Sequence, residues 1–293
     1  MILLDGKKLS QEIKSEIKEE VNLLIEKGLR APHLVTVLVG DNKASQAYVK
    51  SKIRSCNEVG FRSTNIKLDS NTAKEELLNV VEKLNLDDEV DGFIVQLPLP
   101  AGIDENEIIN AIDPSKDVDG FHPLNLGKLV IGTDTMIPAT PLGILEIFRR
   151  YDLETIGKDV AVLGRSNIVG KPIAICLMQK LKTGNATVTV LHSRTKDLAS
   201  RLRSADIIIA AVGSAEFVTA DMVRDNAIVI DVGINSVPSD NEKGYRITGD
   251  VDFKNVAPKC SYITPVPGGV GLMTVASLLI NTFKAYKKRY GIT

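Results

Sequence analysis

Residues 159–172, DVAVLGRSNIVGKP, decide how the second half of this chain is read. Asp159 to Leu163 reads as a short strand. It stops at Gly164, and a turn carrying a second glycine, Gly170, leads into an apolar stretch with helical spacing. Strand, glycine turn, helix is the order that binds a dinucleotide. Glycine lets backbone amides approach a pyrophosphate, and the helix N-terminus adds positive potential. The spacing here is G-x-S-x-x-x-G rather than G-x-G-x-x-G, and an ordinary tight turn between strand and helix has a similar composition. The following strand, 187–191, ends in His192-Ser193-Arg194-Thr195. An NAD site places an acid there for the ribose 2′-hydroxyl. A hydroxyl and a guanidinium suit a 2′-phosphate instead, so NADP is expected. Arg165, inside the glycine loop, is a second candidate for that phosphate. A solvated strand end with a stray arginine is the plain alternative.

Outward from this loop, strands and helices alternate in two blocks. The second block continues with a helix over 170–182, a helix over 196–203, strands at 206–211, 227–231 and 261–264, and a last helix from Gly271 to Lys288. The first block reads as a strand at 34–39, a helix over 45–59, a strand at 64–68, a capping box at Thr72 and Glu75 opening a helix to Leu84, and a strand at 91–97. Asp104 and Glu107 repeat the capping-box pattern. Residues 113–138 are rich in turn residues and show no periodicity. Thr140-Pro141 reads as an N-cap followed by Pro at the first helical position. Two βα blocks imply two α/β domains with mostly parallel sheets, the second Rossmann-like, hinged near Pro138–Pro141.

The first block carries its own constellation. Tyr48 and Lys52, four apart on the helix, share one face, with Ser45 a turn earlier. Val49, Ile53 and Cys56 mark the adjacent core stripe. Gln96 lies at the carboxyl end of a buried strand, just before Leu97-Pro98-Leu99-Pro100, and ligand sites in open α/β sheets gather at such ends. Asp117 and Asp119 lie in the irregular segment, where turn chemistry alone would also place aspartates. Thr264-Pro265-Val266-Pro267-Gly268-Gly269 makes a stiff, close-approach loop before the last helix. A Tyr-x-x-x-Lys pair also occurs in short-chain dehydrogenases. There the glycine loop precedes the pair, whereas here it follows by more than a hundred residues. A non-catalytic small-molecule- or nucleotide-binding protein of the same fold is the other alternative.

Composition limits the rest. The 293 residues are 44% hydrophobic and 25% charged, with a net charge of -1 and no Trp. Neither nucleic acid nor an anionic membrane is favoured as a partner. The amino terminus lacks a leader-like apolar core, and Val270 to Phe283 is interrupted by polar residues and too short to span a bilayer. Three scattered cysteines read as reduced and buried, which suggests a cytoplasmic protein, and three scattered histidines give no metal site.

Seven segments together resemble the bifunctional methylenetetrahydrofolate dehydrogenase/methenyltetrahydrofolate cyclohydrolase family, essentially end to end. They are VGDNKASQAYVKSK (39–52), DGFIVQLPLP (91–100), DPSKDVDGFHPLN (113–125), PATPLG (138–143), VLGRSNIVGKP (162–172), GDVDF (249–253) and TPVPGGVGLMTVA (264–276). The resemblance implies a homodimer of one-carbon metabolism and purine biosynthesis that acts on tetrahydrofolate derivatives with NADP. It implies a folate-binding catalytic domain of 1–139 plus 271–293, an NADP-binding domain of 140–270, a last helix that returns to the first domain, and folate held between the two. It assigns Lys52 the acid–base role, Gln96 its positioning, Tyr48 stacking on the aminobenzoyl ring and Asp119 the pterin. Ser45, Leu97, Pro98, Pro267, Gly268 and Gly269 complete the substrate contacts. Coenzyme contacts are implied at Gly164, Arg165, Ser166, Ile168, His192, Ser193, Arg194, Gly213, Gly233 and Ile234. Two departures stand out: Leu272 replaces a usual Pro after Gly-Val-Gly, and Ala139 replaces a common Cys.

Overall fold

The structure is a computed structural model, and it describes residues 1–240 and 244–292. The chain forms two compact units. One combines Gln11–Ala139 with Val275–Thr293 and is called the first unit below. The other, the second unit, combines Met1–Ser10 with Thr140–Thr274.

The first unit is built on three parallel strands, β2 (His33–Val39), β3 (Arg62–Leu68) and β4 (Gly92–Val95), in the order β3-β2-β4. All seven residues of β2 are buried, as expected for a central parallel strand covered on both faces. Val35, Val37, Phe93 and Val95 pack against Leu77 and Val81 of α3 (Lys74–Leu86) and Ile108 of α4 (Glu105–Ala111). Each such side chain contributes about 1.5–3 kcal/mol of burial. Helix α2 (Lys43–Glu58) follows β2 and is capped by Asn42, whose side chain accepts the Ser45 N–H at 3.0 Å. The later part of α10 (Val270–Arg289) belongs to this unit. Phe283 meets Phe61, Asn281 donates to the Val118 and Ile137 carbonyls, and the Tyr286 hydroxyl donates to the Arg30 carbonyl.

The second unit holds a six-stranded parallel sheet in the order β1-β11-β8-β7-β5-β6. The strands are β1 (Ile2–Leu3), β5 (Asp159–Leu163), β6 (Thr187–Leu191), β7 (Ile207–Ala210), β8 (Ala227–Asp231) and β11 (Cys260–Ile263). From β5 the chain goes to β6 on one side and then to β7 on the other. The topological switch point therefore lies between β5 and β7, where open α/β sheets bind ligands. Helices α6 (Ala139–Arg150), α7 (Gly170–Met178), α8 (Leu198–Ser204) and α9 (Phe253–Val256) connect the strands, and β9 (Asn235–Pro238) pairs antiparallel with β10 (Tyr245–Thr248).

Several expectations meet corrections. Met1–Ser10 group with the second unit, because β1 pairs with β11 and the Lys7 N–H donates to the Gly268 carbonyl. Helix α1 (Gly6–Glu26) was not anticipated, although Leu9, Ile13, Ile17 and Val21 are all buried at four-residue spacing. The Thr72 box does not form: α3 is capped by Ala73 without a side-chain bond, and the Thr72 N–H turns back to the Asp69 carbonyl. Asp104 does cap α4, but through the Asn106 N–H, while Glu107 pairs with Lys74. Thr140 is no N-cap, since α6 already begins at Ala139. The irregular stretch contains α5 (Pro123–Ile131), capped by the His122 ring nitrogen and stopped by Gly132 at φ 77°. Helix α7 ends at Met178 rather than 182, where the Asn185 N–H closes a loop onto the Gln179 carbonyl.

Asp91 is a structural pivot of the first unit. Its fully buried carboxylate accepts N–H bonds from the two terminal Arg30 guanidinium nitrogens, at 2.7 and 2.8 Å, and from the His33 backbone at 2.8 Å. That contact holds Arg30 above its ordinary range. Removing one partner of a buried pair leaves a charge uncompensated. Asp91→Ala is therefore expected to cost about 3–5 kcal/mol in urea unfolding followed by circular dichroism. A loss below about 1 kcal/mol would contradict this role.

Candidate functional site

In the first unit, the side chains singled out from sequence converge at the carboxyl ends of β2 and β4. Lys52 points from α2 to Gln96, and its Nζ donates to Gln96 Oε1 at 3.0 Å. Gln96 is itself held from two directions: its backbone N–H donates to the Val37 carbonyl at 2.8 Å, and its Nε2 donates to the Leu97 carbonyl at 2.7 Å. The amide group therefore has a settled orientation, with oxygen toward the lysine. The Leu97–Pro98 peptide is cis. Tyr48 lies one turn before Lys52 and is 42% exposed, while Val49 and Cys56 of the same helix are buried. Ser45 is buried in the first turn of α2.

The two aspartates of the irregular segment separate clearly. Asp117 is turn chemistry: it accepts the N–H groups of Gly120, Phe121 and His122 and the Asn125 amide. Asp119 is half-buried and electrostatically coupled to Lys52. A narrow recess beside it is lined by Phe93, Leu97, Ile109 and Phe121. Burial is the leading influence on both groups. It pushes the Lys52 amine below the ordinary lysine range, against a smaller opposing pull from Asp119. It pushes the Asp119 carboxyl up, opposed by Lys52 and assisted by Asp117. Each change favours the neutral form. The neighbouring Cys56 thiol, also buried, is raised to about 12 and stays protonated.

In the second unit, the glycine loop follows β5 as expected. Gly164 has φ 126°, and a Cβ there would run into the Ala211 carbonyl; one at Gly170 would run into the Gly164 carbonyl. The Ser166 hydroxyl accepts the Val169 and Gly170 N–H groups at 3.1 and 3.3 Å, closing the turn at the start of α7. Arg165, Ser166 and Ile168 are exposed around it. At the end of β6, the His192 imidazole accepts the Arg194 N–H, and the His192 N–H donates to Thr195. His192 thus shapes the turn that leaves Ser193 and Arg194 exposed. A tight glycine cradle, a helix N-terminus and a strand end without an acid fit a phosphorylated dinucleotide.

Gly213 and Gly233 lie on the loops that follow β7 and β8, and Ile234 is 49% exposed. Two carboxylates that sequence reading passed over organise these loops, Asp231 and Asp250. Asp231 accepts the N–H groups of Gly233, Asp250 and Val251. Burial pushes it up to about 6, against those three donors. Asp250 accepts the N–H groups of Val212, Gly213 and Ser214 and the Asn235 amide. The one clue was that Asp250 sits in a quoted segment, GDVDF, directly after a glycine. Pro267, Gly268 and Gly269 form a loop with a cis Val266–Pro267 peptide that packs on Gly6. The N–H that Leu272 brings donates to the Gly269 carbonyl at 3.2 Å, so α10 starts undisturbed. Among the described residues no cluster could hold a metal ion, and no helix is long and apolar enough to cross a membrane.

Comparison with known proteins matches residues 4–119 to the catalytic domain of tetrahydrofolate dehydrogenase/cyclohydrolase, and residues 138–290 to its NAD(P)-binding domain. The chain is 57% identical over 289 residues to the bifunctional protein FolD of Porphyromonas gingivalis, covering 98% of each chain. It is 55% identical to that of Flavobacterium psychrophilum, covering 99% of each. Among solved structures, FolD methylenetetrahydrofolate dehydrogenase/cyclohydrolase from Campylobacter jejuni superposes with a TM-score of 0.93 at 49% identity, covering 99% of each chain. The Trypanosoma brucei enzyme, solved with NADP cofactor and an inhibitor, gives 0.93 at 38% identity, covering 99% of this chain and 98% of that one.

The collision with backbone at Gly164 makes a clear test of the second unit. Gly164→Ala is expected to weaken dinucleotide binding by tenfold or more in isothermal titration calorimetry, with the far-ultraviolet circular dichroism retained. An unchanged dissociation constant would remove this loop from the coenzyme site.

Proposed function

The chain belongs to the tetrahydrofolate dehydrogenase/cyclohydrolase family, and from that premise we propose how its side chains divide the work. It is an NADP-dependent bifunctional enzyme, a methylenetetrahydrofolate dehydrogenase and a methenyltetrahydrofolate cyclohydrolase. In the proposed arrangement the first unit binds folate and carries the catalytic side chains, and the second binds NADP. Asp119 accepts two N–H bonds from the pterin's amide-like N–H and exocyclic amine. Tyr48, exposed next to Lys52, offers a ring face to the aminobenzoyl group. Ser45, Leu97 and Pro98 complete the first unit's folate contacts. Arg165, Ser166 and Ser193–Arg194 hold the coenzyme phosphates, together with the backbone at Gly164, Ile168 and His192. Gly213, Gly233 and Ile234 border the same coenzyme.

NADP, when bound, accepts hydride from the methylene carbon. That half-reaction requires no side-chain base, because the two flanking nitrogens stabilise the cation. The chain's contribution is positioning. Hydrolysis does require proton transfer, and Lys52 is the group we assign to it. Its amine takes a proton from the attacking water as the new C–O bond forms. As the carbon–N5 bond breaks, Lys52 returns a proton to N5 while the carbinol O–H gives one up. One proton leaves to solvent, matching the loss of the substrate's positive charge. A free lysine at about 10.4 is too basic to be neutral near pH 7. The observation that carries the proposal is the 3.0 Å contact from Lys52 Nζ to the uncharged Gln96 amide, on an amine lowered by burial. A carboxylate in the place of Gln96 would restore the ammonium. A bound methenyl cation would lower the amine further.

A short-chain dehydrogenase reading fails on the same geometry, since Lys52 contacts Gln96 in a unit built without the glycine loop. Three buried free thiols support the cytoplasmic placement. A homodimer is supported by the free edge of the six-stranded sheet: β6 ends the strand order and exposes Val190.

Lys52→Met is expected to lower methenyl hydrolysis at least a hundredfold while NADP reduction keeps a substantial rate. In the unmodified enzyme hydrolysis is expected to rise with pH through the Lys52 titration, at a pH below that of an exposed lysine. That limb disappears in the variant. Equal retention of both activities would take Lys52 out of the mechanism. For Asp119→Ala the expected result is a rise in folate KM of about tenfold or more in both assays; an unchanged KM refutes the pterin contact.

A further inference from the structure

Asp250 is fully buried, lies in no strand or helix, and forms no ion pair with a cation among the described residues. Its carboxylate is occupied by backbone. One oxygen accepts the Val212 and Gly213 N–H groups at 2.7 and 2.9 Å. The other accepts the Ser214 N–H at 3.0 Å and the Asn235 side-chain amide at 2.9 Å. Three successive N–H groups converging on one anion form a nest, the same device that binds phosphate elsewhere. Here the nest stands at the carboxyl end of β7, beside the switch point. The Ala211 N–H donates to the Leu163 carbonyl at 2.8 Å, and the Ala211 carbonyl sits against Gly164. The nest therefore adjoins the glycine loop.

Asp250 is in turn placed by Asp231. That residue ends β8, and its carboxylate grips the Asp250 and Val251 N–H groups at 2.8 and 3.0 Å. Two glycines make room for this relay. A Cβ at Gly249 would collide with the Asp231 carboxylate, and one at Gly233 with the Asp250 carboxylate. The path runs from β8 through Asp231 to Asp250, and from Asp250 to the loop after β7.

We infer that Asp250 is a positioning residue for the coenzyme half of the reaction. By filling the nest at 212–214 it fixes the loop beside Gly164 and denies that nest to a phosphate, which leaves the dinucleotide phosphates to the Gly164–Gly170 loop. The inference rests on the NADP-binding assignment of this unit. It makes a separable claim, that the hydrolytic half-reaction does not depend on Asp250.

The test uses the full-length enzyme with Asp250→Asn, which keeps shape but turns an NH2 group toward N–H donors. Expected are a tenfold or larger rise in the NADP dissociation constant by isothermal titration calorimetry and a matching rise in NADP KM. Methenyl hydrolysis measured without coenzyme is expected to stay within twofold, and so is folate KM. An NADP affinity within twofold of the unmodified enzyme overturns the inference. A parallel fall in both activities also overturns it, since that is a purely structural role. Should Asp250→Asn fail to fold, Asn235→Ala removes the carboxylate's one side-chain donor and so loosens its seat in the nest. It is expected to raise the NADP dissociation constant about threefold with hydrolysis unchanged, and no rise overturns the inference. An unmodified protein that neither reduces NADP nor hydrolyses the methenyl substrate would defeat the functional assignment instead.

Discussion

The hydrogen bond from the Lys52 amine to the Gln96 amide oxygen governs the chemistry assigned to this protein. It joins a helix to the end of a strand, and it does so with a neutral partner. A cationic amine in a partly desolvated place usually finds a carboxylate, and such a pair keeps it charged. Here the direct partner contributes no charge, the nearby carboxylate of Asp119 is itself pushed toward neutrality, and burial dominates both groups. The arrangement favours a lysine that can give and take a proton. Its precision comes from Gln96, whose backbone N–H donates to the Val37 carbonyl and whose side-chain Nε2 donates to the Leu97 carbonyl.

The second unit solves a different problem by related means. Among the described residues, its buried carboxylates Asp231 and Asp250 collect backbone N–H groups rather than cations. Asp231 satisfies the buried Gly233, Asp250 and Val251 amides, and Asp250 gathers the amides of the exposed 212–214 loop, so each carboxylate fixes irregular backbone. Asp117 does the same in the first unit. The chain thus uses buried aspartate in two ways, as a staple for loops and, at Asp119, as a group facing a proposed ligand. Charge type does not separate the two uses. The number of backbone donors aimed at the carboxylate does.

Much of the architecture was legible in sequence because period and punctuation carry it. Strands at 34–39, 159–163, 187–191 and 227–231 were readable as short apolar runs, and the alternation with helices implied parallel sheets. Boundaries were weaker where a cap was inferred from residue type alone. Thr72 and Thr140 have the right chemistry for capping, but the backbone places them elsewhere. Helix α5 was missed because its glycine and proline are spent on its start, interior and stop, which obscures the helical period.

The sequence by itself determined the fold class, the glycine loop, the lack of an acid at the end of β6, and a short set of candidates, Tyr48, Lys52, Gln96 and Asp119 among them. These depend on local spacing, and local spacing is written in the chain. Only the tertiary structure decided that Lys52 meets Gln96, that the lysine feels the charge of Asp119 while Asp117 staples a turn, that Met1–Ser10 joins the second unit, and that Asp231 and Asp250 hold its loops. Those facts turn on contacts between residues tens to hundreds of positions apart. Burial and hydrogen-bond direction, the physical causes of the altered acidity, come into being only when such distant residues pack together.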